Sequence, residues 1–173
     1  MKQKVFNVLI SLVVGVLGAI QVHSCSKGDK PPEIKVVLHI DNKDIQPDFF
    51  NKLPQEGLME ALEYYEIKHP QIVYAQAILE TGHFKSNVCL NYNNLFGLYD
   101  SKNKDYYKFN HWAESIVAYK EWIQKKYQPP NNYYVFLEEI NYAEEKSYTR
   151  LLKEIVKNRK DDKRKHTERD SFT

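Results

Sequence analysis

The chain has 173 residues, enough for one domain with a proper core and short extensions at its ends. Its formal charge of +2 is unevenly placed: Lys157 to the end carries seven basic and four acidic residues, a net of +3, and without Lys2 and Lys4 this leaves Cys25 to Val156 at about −3. A slightly acidic body argues against a nucleic-acid groove, which needs clustered Lys and Arg to neutralise phosphates, while thirteen tyrosines suit a core with polar handles or a concave site for ligands with apolar faces.

Met1 to Ser24 reads as an export signal, with Lys2 and Lys4 before an apolar run from Val5 to Ile20 that only Asn7 and Ser11 interrupt. The run is short for a membrane span, which needs roughly 20 apolar residues. Val22-His23-Ser24-Cys25 resembles the lipobox of bacterial lipoproteins and makes Cys25 the expected lipidated N-terminus, with His23 departing from the usual residue. Two other readings are compatible: a soluble secreted product, or a Cys25–Cys89 disulfide. Residues 25–54 are expected to be a tether followed by an extended arm, in which Ile34, Val36, Leu38 and Ile40 alternate as in a short strand.

Leu58, Met59, Leu62 and Tyr65 form a helical stripe with Glu60, Glu63 and Glu66 mostly opposite, predicting an amphipathic cover helix closed by His69-Pro70. The next helix differs. Pro70 suits its first turn, Gly82 suits the left-handed residue past its end, and Ile72, Val73, Ala75, Ala77, Ile78 and Leu79 leave little polar face, so it belongs inside the domain. Glu80 then sits at the carboxyl end of a buried helix, where an apolar surround and the helix dipole both raise its pKa. A carboxyl that keeps its proton near neutral pH is what general acid catalysis requires; a glutamate in a fraying last turn is the alternative.

Lys85 to Leu98 is rich in asparagine, and Asn93-Asn94-Leu95-Phe96-Gly97 reads as an ordered loop with an apolar anchor. Tyr99 and Tyr106 to Phe109 are expected to flank a hairpin turned at Ser101 to Lys104. A helix from about His111 to Tyr127 follows, with Asn110 as N-cap and Trp112, Ile116, Tyr119 and Ile123 on one face. After Gln128 to Asn132, a short helix is predicted over Tyr133 to Ile140, and Tyr148, Leu151, Leu152, Ile155 and Val156 mark the last one. Arg159 to Thr173 is almost entirely polar and is expected to be a frayed or disordered tail.

Glu66-x-x-His69 and Glu80-x-x-His83 repeat the spacing of di-iron helices, but Pro70 and Gly82 interrupt the continuous turns such sites need, so neither a metal nor another cofactor is expected. No His-Glu-x-x-His pattern, phosphate-cradling glycine loop or Gly-x-Ser-x-Gly elbow is present.

Ala75-Gln76-Ala77-Ile78-Leu79-Glu80-Thr81-Gly82, Asn93-Asn94-Leu95-Phe96-Gly97-Leu98, Glu114-Ser115-Ile116 with Tyr119, and Tyr142-Ala143 with Tyr148 resemble, in order, the motifs of the bacterial glucosaminidase domain, glycoside hydrolase family 73. The similarity covers roughly Leu58 to Val156. It implies a mainly helical, α+β, lysozyme-like fold with a small β-lobe beside the cleft, occupying residues 55–157, with 158–173 left as the charged tail. By position Glu80 matches the family's catalytic acid and Tyr142 its active-site tyrosine, with Glu144 where a threonine usually stands. Tyr142 is then expected to orient or stabilise the acetamido group or the oxocarbenium-like centre. Gln76, Asn94 and Phe96 are the implied substrate-binding residues. The second acidic residue that many members carry has only Asp100 and Asp105 as candidates here, either to assist water; an inverting hydrolase needs its two carboxyls about 6.5–9.5 Å apart, and the substrate's own 2-acetamido oxygen is the route that needs one acid alone. The expected function is an endo-β-N-acetylglucosaminidase acting on peptidoglycan glycan strands. It is expected to be a monomer in the cell envelope, held to the membrane by lipid on Cys25 and facing the periplasm. A lytic transglycosylase on the same scaffold and a non-catalytic glycan-binding envelope lipoprotein are the alternatives.

Overall fold

The structure, a computed structural model, describes residues 46–170. The expected export signal, Cys25 and the strand at Ile34 to Ile40 lie outside the described residues. A 3-10 turn at Asp48–Asn51 leads into α1 (Pro54–Tyr64), α2 (Pro70–Thr81) and α3 (Asn87–Tyr92). A two-stranded hairpin of β1 (Tyr99–Asp100) and β2 (Asp105–Tyr106) follows, then α4 (Trp112–Trp122), a 3-10 turn at Gln124–Lys126, α5 (Tyr133–Glu139) and α6 (Tyr148–Asp170). This is the mainly helical, lysozyme-like α+β architecture that the motifs imply, with the hairpin as its small β-lobe.

α2 is the axis of the domain, packed against α1 on one side and α6 on the other, while α4 closes over α1. Its sequence permits this position because residues on every face are small, apolar or internally satisfied: Val73, Tyr74, Ala75, Gln76, Ala77, Glu80 and Thr81 are all buried. Pro70 opens the helix, and Gly82 closes it at a φ of 54°, with the His83 N–H bonding back to the Ile78 carbonyl at 2.9 Å. α1 turns Leu58, Ala61 and Leu62 inward. Gly57 lies so close to Phe49 that a Cβ there would stand 3.1 Å from the Phe49 Cβ, so the glycine lets the N-terminal turn seat on α1. Phe49, Leu58, Leu62, Leu95, Phe96, Ile116 and Leu152 are 0% exposed, each stabilising the fold by about 1.5–3 kcal/mol relative to an exposed side chain.

Two local expectations are corrected, and one helix is added. Asn87–Tyr92, ahead of the expected Asn93 to Gly97 loop, is helical, because Ser86 caps it by accepting from the Cys89 N–H (3.2 Å) and the buried Cys89 anchors it to the core. The Cys89 thiol is free, and burial pushes its pKa up to about 11. The helix after the hairpin is capped by His111, whose Nδ1 accepts from the Ala113 N–H, and it ends at Trp122; Glu114 in its first turn reaches back to the Asn110 N–H. The helix α6 continues to Asp170 where a frayed or disordered tail was expected. Side-chain pairs support this polar stretch: Arg159 lies 3.8 Å over the Tyr74 ring and Asp161 pairs with Arg164 at 3.7 Å. Among the described residues no helix is long and apolar enough to cross a membrane.

Candidate active site

Glu80 occupies the last turn of α2, as its place before Gly82 predicts, and is only 9% exposed. Burial raises its pKa to about 8, and a hydrogen bond from Tyr148 acts in the opposite direction. Tyr148, at the start of α6, donates its hydroxyl to Glu80 Oε1 at 2.8 Å. Oε2 has no hydrogen-bond partner among the described residues, yet it is not one of the fully enclosed unpaired side-chain atoms, which are Trp122 Nε1 and Arg159 Nε. One carboxyl oxygen is therefore held by Tyr148, and the other is unpaired among the described residues without being wholly enclosed.

The surroundings of Glu80 are phenolic. Burial, followed by the charge of Glu80, raises the pKa of Tyr142, Tyr148 and Tyr106 above the ordinary value. Tyr142 is 2% exposed, packs with its ring 5.7 Å from Tyr148 and 6.1 Å from Tyr119, and donates its hydroxyl to the Phe96 carbonyl at 3.3 Å. Tyr106 belongs to β2 and packs edge-on against Tyr99, its partner in the ladder. Opposed residues of an antiparallel pair share a face and successive ones alternate, so Tyr99 and Tyr106 share the face on which Tyr106 feels the charge of Glu80, and Asp100 and Asp105 share the other.

Both aspartates are engaged within the hairpin. Asp100 accepts from the Lys102 and Asn103 backbone N–H groups and from the Asn103 amide; slight burial pushes its pKa up, and those bonds with the Lys102 charge outweigh it and leave it lowered. Asp105 bonds Lys108 at 2.9 Å and accepts from the Tyr106 N–H, and the Lys108 bond is the main cause of its lowered pKa. Neither is among the groups that shift Glu80.

Gln76, Asn94 and Phe96 are 0%, 1% and 0% exposed. Asn94 uses its side chain within its own loop: Nδ2 donates to the Leu98 and Tyr107 carbonyls at 2.9 and 3.0 Å, and Oδ1 accepts from the Leu98 N–H at 3.0 Å. With Asn93 at φ 53° and Gly97 at φ 60°, that loop is a tight, internally bonded turn whose Phe96 ring lies 4.5 Å from Tyr119. These residues shape the wall rather than present polar groups at its surface. Gln76 lies beneath the site, donating to Tyr148 Oη at 3.3 Å and accepting from Tyr119 Oη at 2.7 Å.

Tyr148, placed among the motifs but given no role by them, is the side chain that touches Glu80. The extension of its network to Tyr119, Tyr133 and Gln124 left only an indirect trace in sequence, namely phenols and amides on helical faces that are otherwise apolar.

A family model described as mannosyl-glycoprotein endo-beta-N-acetylglucosaminidase matches residues 55–161. No curated protein and no solved structure matches the chain. The matched stretch runs from α1 into α6 and contains Glu80 and every side chain bonded in its network, and it makes the chain a member of the glucosaminidase family of glycosidases.

Proposed function

We propose that the protein is a peptidoglycan hydrolase, an endo-β-N-acetylglucosaminidase that cleaves glycan strands after N-acetylglucosamine with Glu80 as general acid. The observation that carries this reading is the Glu80 carboxyl itself, buried with its pKa raised to about 8, held through one oxygen by Tyr148 and with the other oxygen unpaired among the described residues and not wholly enclosed. Such a group is protonated at neutral pH and can deliver that proton.

In the reaction, the Oε2 proton passes to the glycosidic oxygen as the C1–O bond breaks, and the 2-acetamido oxygen of the substrate closes on C1. Water then attacks C1, gives its proton to the Glu80 carboxylate and opens the ring formed by the acetamido group, which leaves a reducing N-acetylglucosamine end and a reprotonated acid. The orientation of Asp100 and Asp105 supports this one-acid route over activation of water by an aspartate. Tyr142, packed beside Tyr148, is the wall against which the acetamido group is oriented. Phenolic walls with no cation bonded to Glu80 suit an uncharged sugar.

Purified cell wall is the substrate for the test. Glu80→Gln is expected to abolish release of new reducing ends with the fold intact, and retained turnover would sink the assignment. A lytic transglycosylase uses one acid in the same way, and the lone carboxyl favours it as the second reading; mass spectrometry of the products separates the two, since that reaction leaves anhydro-muramyl ends. Lipid on Cys25 is the proposed attachment to the envelope, and Cys25→Ser is expected to move the protein from the membrane fraction to the soluble one.

A further inference from the structure

We propose that Tyr148 is the positioning residue for the acid: its hydroxyl, aimed from behind by Gln76, occupies Glu80 Oε1 and dedicates Oε2 to the proton delivered to the glycosidic oxygen. This rests on Glu80 being the acid.

The direction of every hydrogen bond in the network follows from its far end. Gln124 is clamped to the Lys68 backbone, accepting from the Lys68 N–H through Oε1 and donating to the Lys68 carbonyl through Nε2, both at 2.8 Å. That fixes which end of the Gln124 amide is nitrogen, and its second N–H donates to Tyr133 Oη at 3.1 Å. Tyr133 and Tyr119 hydroxyls are 2.8 Å apart. Tyr133 accepts from Gln124, and the one proton of its phenol has the Tyr119 hydroxyl as its acceptor among the described residues, so Tyr133 donates to Tyr119, which gives its own proton to Gln76 Oε1 at 2.7 Å. Gln76 is thereby oriented with its amide nitrogen toward Tyr148 Oη, at 3.3 Å. Having accepted there, Tyr148 directs its proton to Glu80 Oε1 at 2.8 Å.

All five links from the Gln124 amide nitrogen to the carboxyl point the same way, and links aligned in this manner polarise one another. Gln76, Tyr119 and Tyr133 are 0–2% exposed, so water does not compete for their bonds. Two consequences follow for Glu80. Its proton is carried by Oε2, because Oε1 faces the proton of Tyr148. And as the carboxyl becomes anionic in the transition state, the bond from Tyr148 becomes charge-assisted, so it stabilises the transition state more than the ground state. Tyr142 cannot substitute, since its proton goes to the Phe96 carbonyl.

The test uses the full chain in three forms: wild type, Tyr148→Phe, and Gln76→Met, which keeps the phenol but removes its rear donor. The Glu80 pKa is read directly by carboxyl carbon NMR on glutamate-labelled protein, with Glu80→Gln assigning the signal, and kcat and KM are measured across pH on soluble glycan strands. Tyr148→Phe is expected to move the Glu80 titration and the alkaline limb of kcat up together by about one pH unit and to lower kcat by about tenfold or more with KM unchanged. Gln76→Met is expected to shift both in the same direction by less. A Glu80 titration unchanged in Tyr148→Phe, or a fall in kcat with the limb unmoved, overturns the proposal. Should Tyr148→Phe fail to fold, an unshifted titration in Gln76→Met overturns it equally. The NMR titration needs no turnover, so it separates this failure from failure of Glu80 as the acid, which the activity of Glu80→Gln reads.

Discussion

Asp100 stands opposite Asp105 in the β1–β2 ladder and on the other face from the Tyr99–Tyr106 pair, so the carboxylates do not share the face on which Tyr106 feels the charge of Glu80. The one-acid route proposed above asks neither aspartate to activate water. Asp100→Asn preserves the acceptor that receives the Lys102 N–H, and Asp105→Asn removes only an exposed pair with Lys108. Each variant, and the two combined, is expected to release reducing ends within about twofold of the wild-type rate, as surface pairs contribute little. A hundredfold loss in either, on the order of what a catalytic acid or base supplies, would return that residue to the mechanism.

Keeping a carboxyl where Glu80 lies costs stability in a definite pH window. Its pKa is about 8 in the folded chain against the ordinary 4.5, burial being the cause. Between those values the native state holds a proton that the unfolded state releases, so stability is highest below the lower value and falls as pH rises through the upper one. Glutamine does not titrate. Glu80→Gln is therefore expected to be more stable than wild type by on the order of 4 kcal/mol at about pH 9, with the difference closing toward about pH 5. Thermal unfolding of both proteins at the two pH values checks this, and parallel curves would mean that the carboxyl is not desolvated.

How far the chain could be read before its structure differs from residue to residue. The place of Glu80 was legible because Pro70, a run of small apolar residues and Gly82 are each local signals, and together they fix a buried helix and its end. The hairpin was legible from its turn residues. The identity of the group beside Glu80 was not, because Tyr148 lies 68 positions away and reaches the carboxyl only after α6 has packed on α2. Asn94 shows the same limit in reverse: an asparagine in a loop reads equally as a sugar contact or a turn anchor, and only the carbonyls of Leu98 and Tyr107 decide for the second. The α6 extension was missed because composition reports charge but not the register that sets Arg159 on Tyr74 and Asp161 near Arg164.

Tyr142 buries its hydroxyl against the Phe96 carbonyl while its ring lies beside Tyr148. Tyr142→Phe keeps the ring and leaves that carbonyl short of a donor, which is expected to cost about 1 kcal/mol in urea unfolding. If the phenol also orients the acetamido group, kcat is expected to fall by about tenfold or more, beyond what so small a loss of stability explains. Equal kcat in the two proteins would confine Tyr142 to packing.

The loop that carries Phe96 depends on one amide. Asn94 gives two donors to carbonyls and an acceptor to the Leu98 N–H, all within a loop whose Leu95, Phe96 and Leu98 are 0% exposed. Asn94→Ala strands these groups and is expected to lower the stability to urea by about 2–4 kcal/mol. Asn94→Asp is the more informative change, because it keeps the acceptor and replaces the donor with a group that donates only when protonated. Burial and the two facing carbonyls disfavour the charged form, so the introduced carboxyl titrates above its unfolded value and the native state binds the extra proton. The Asn94→Asp protein is thus expected to be as unstable as Asn94→Ala at neutral pH and to regain part of the loss as pH falls, since its stability must decline as pH rises through the raised pKa. A deficit independent of pH would mean that the loop opens to water and that the bonds of Asn94 do not hold it closed.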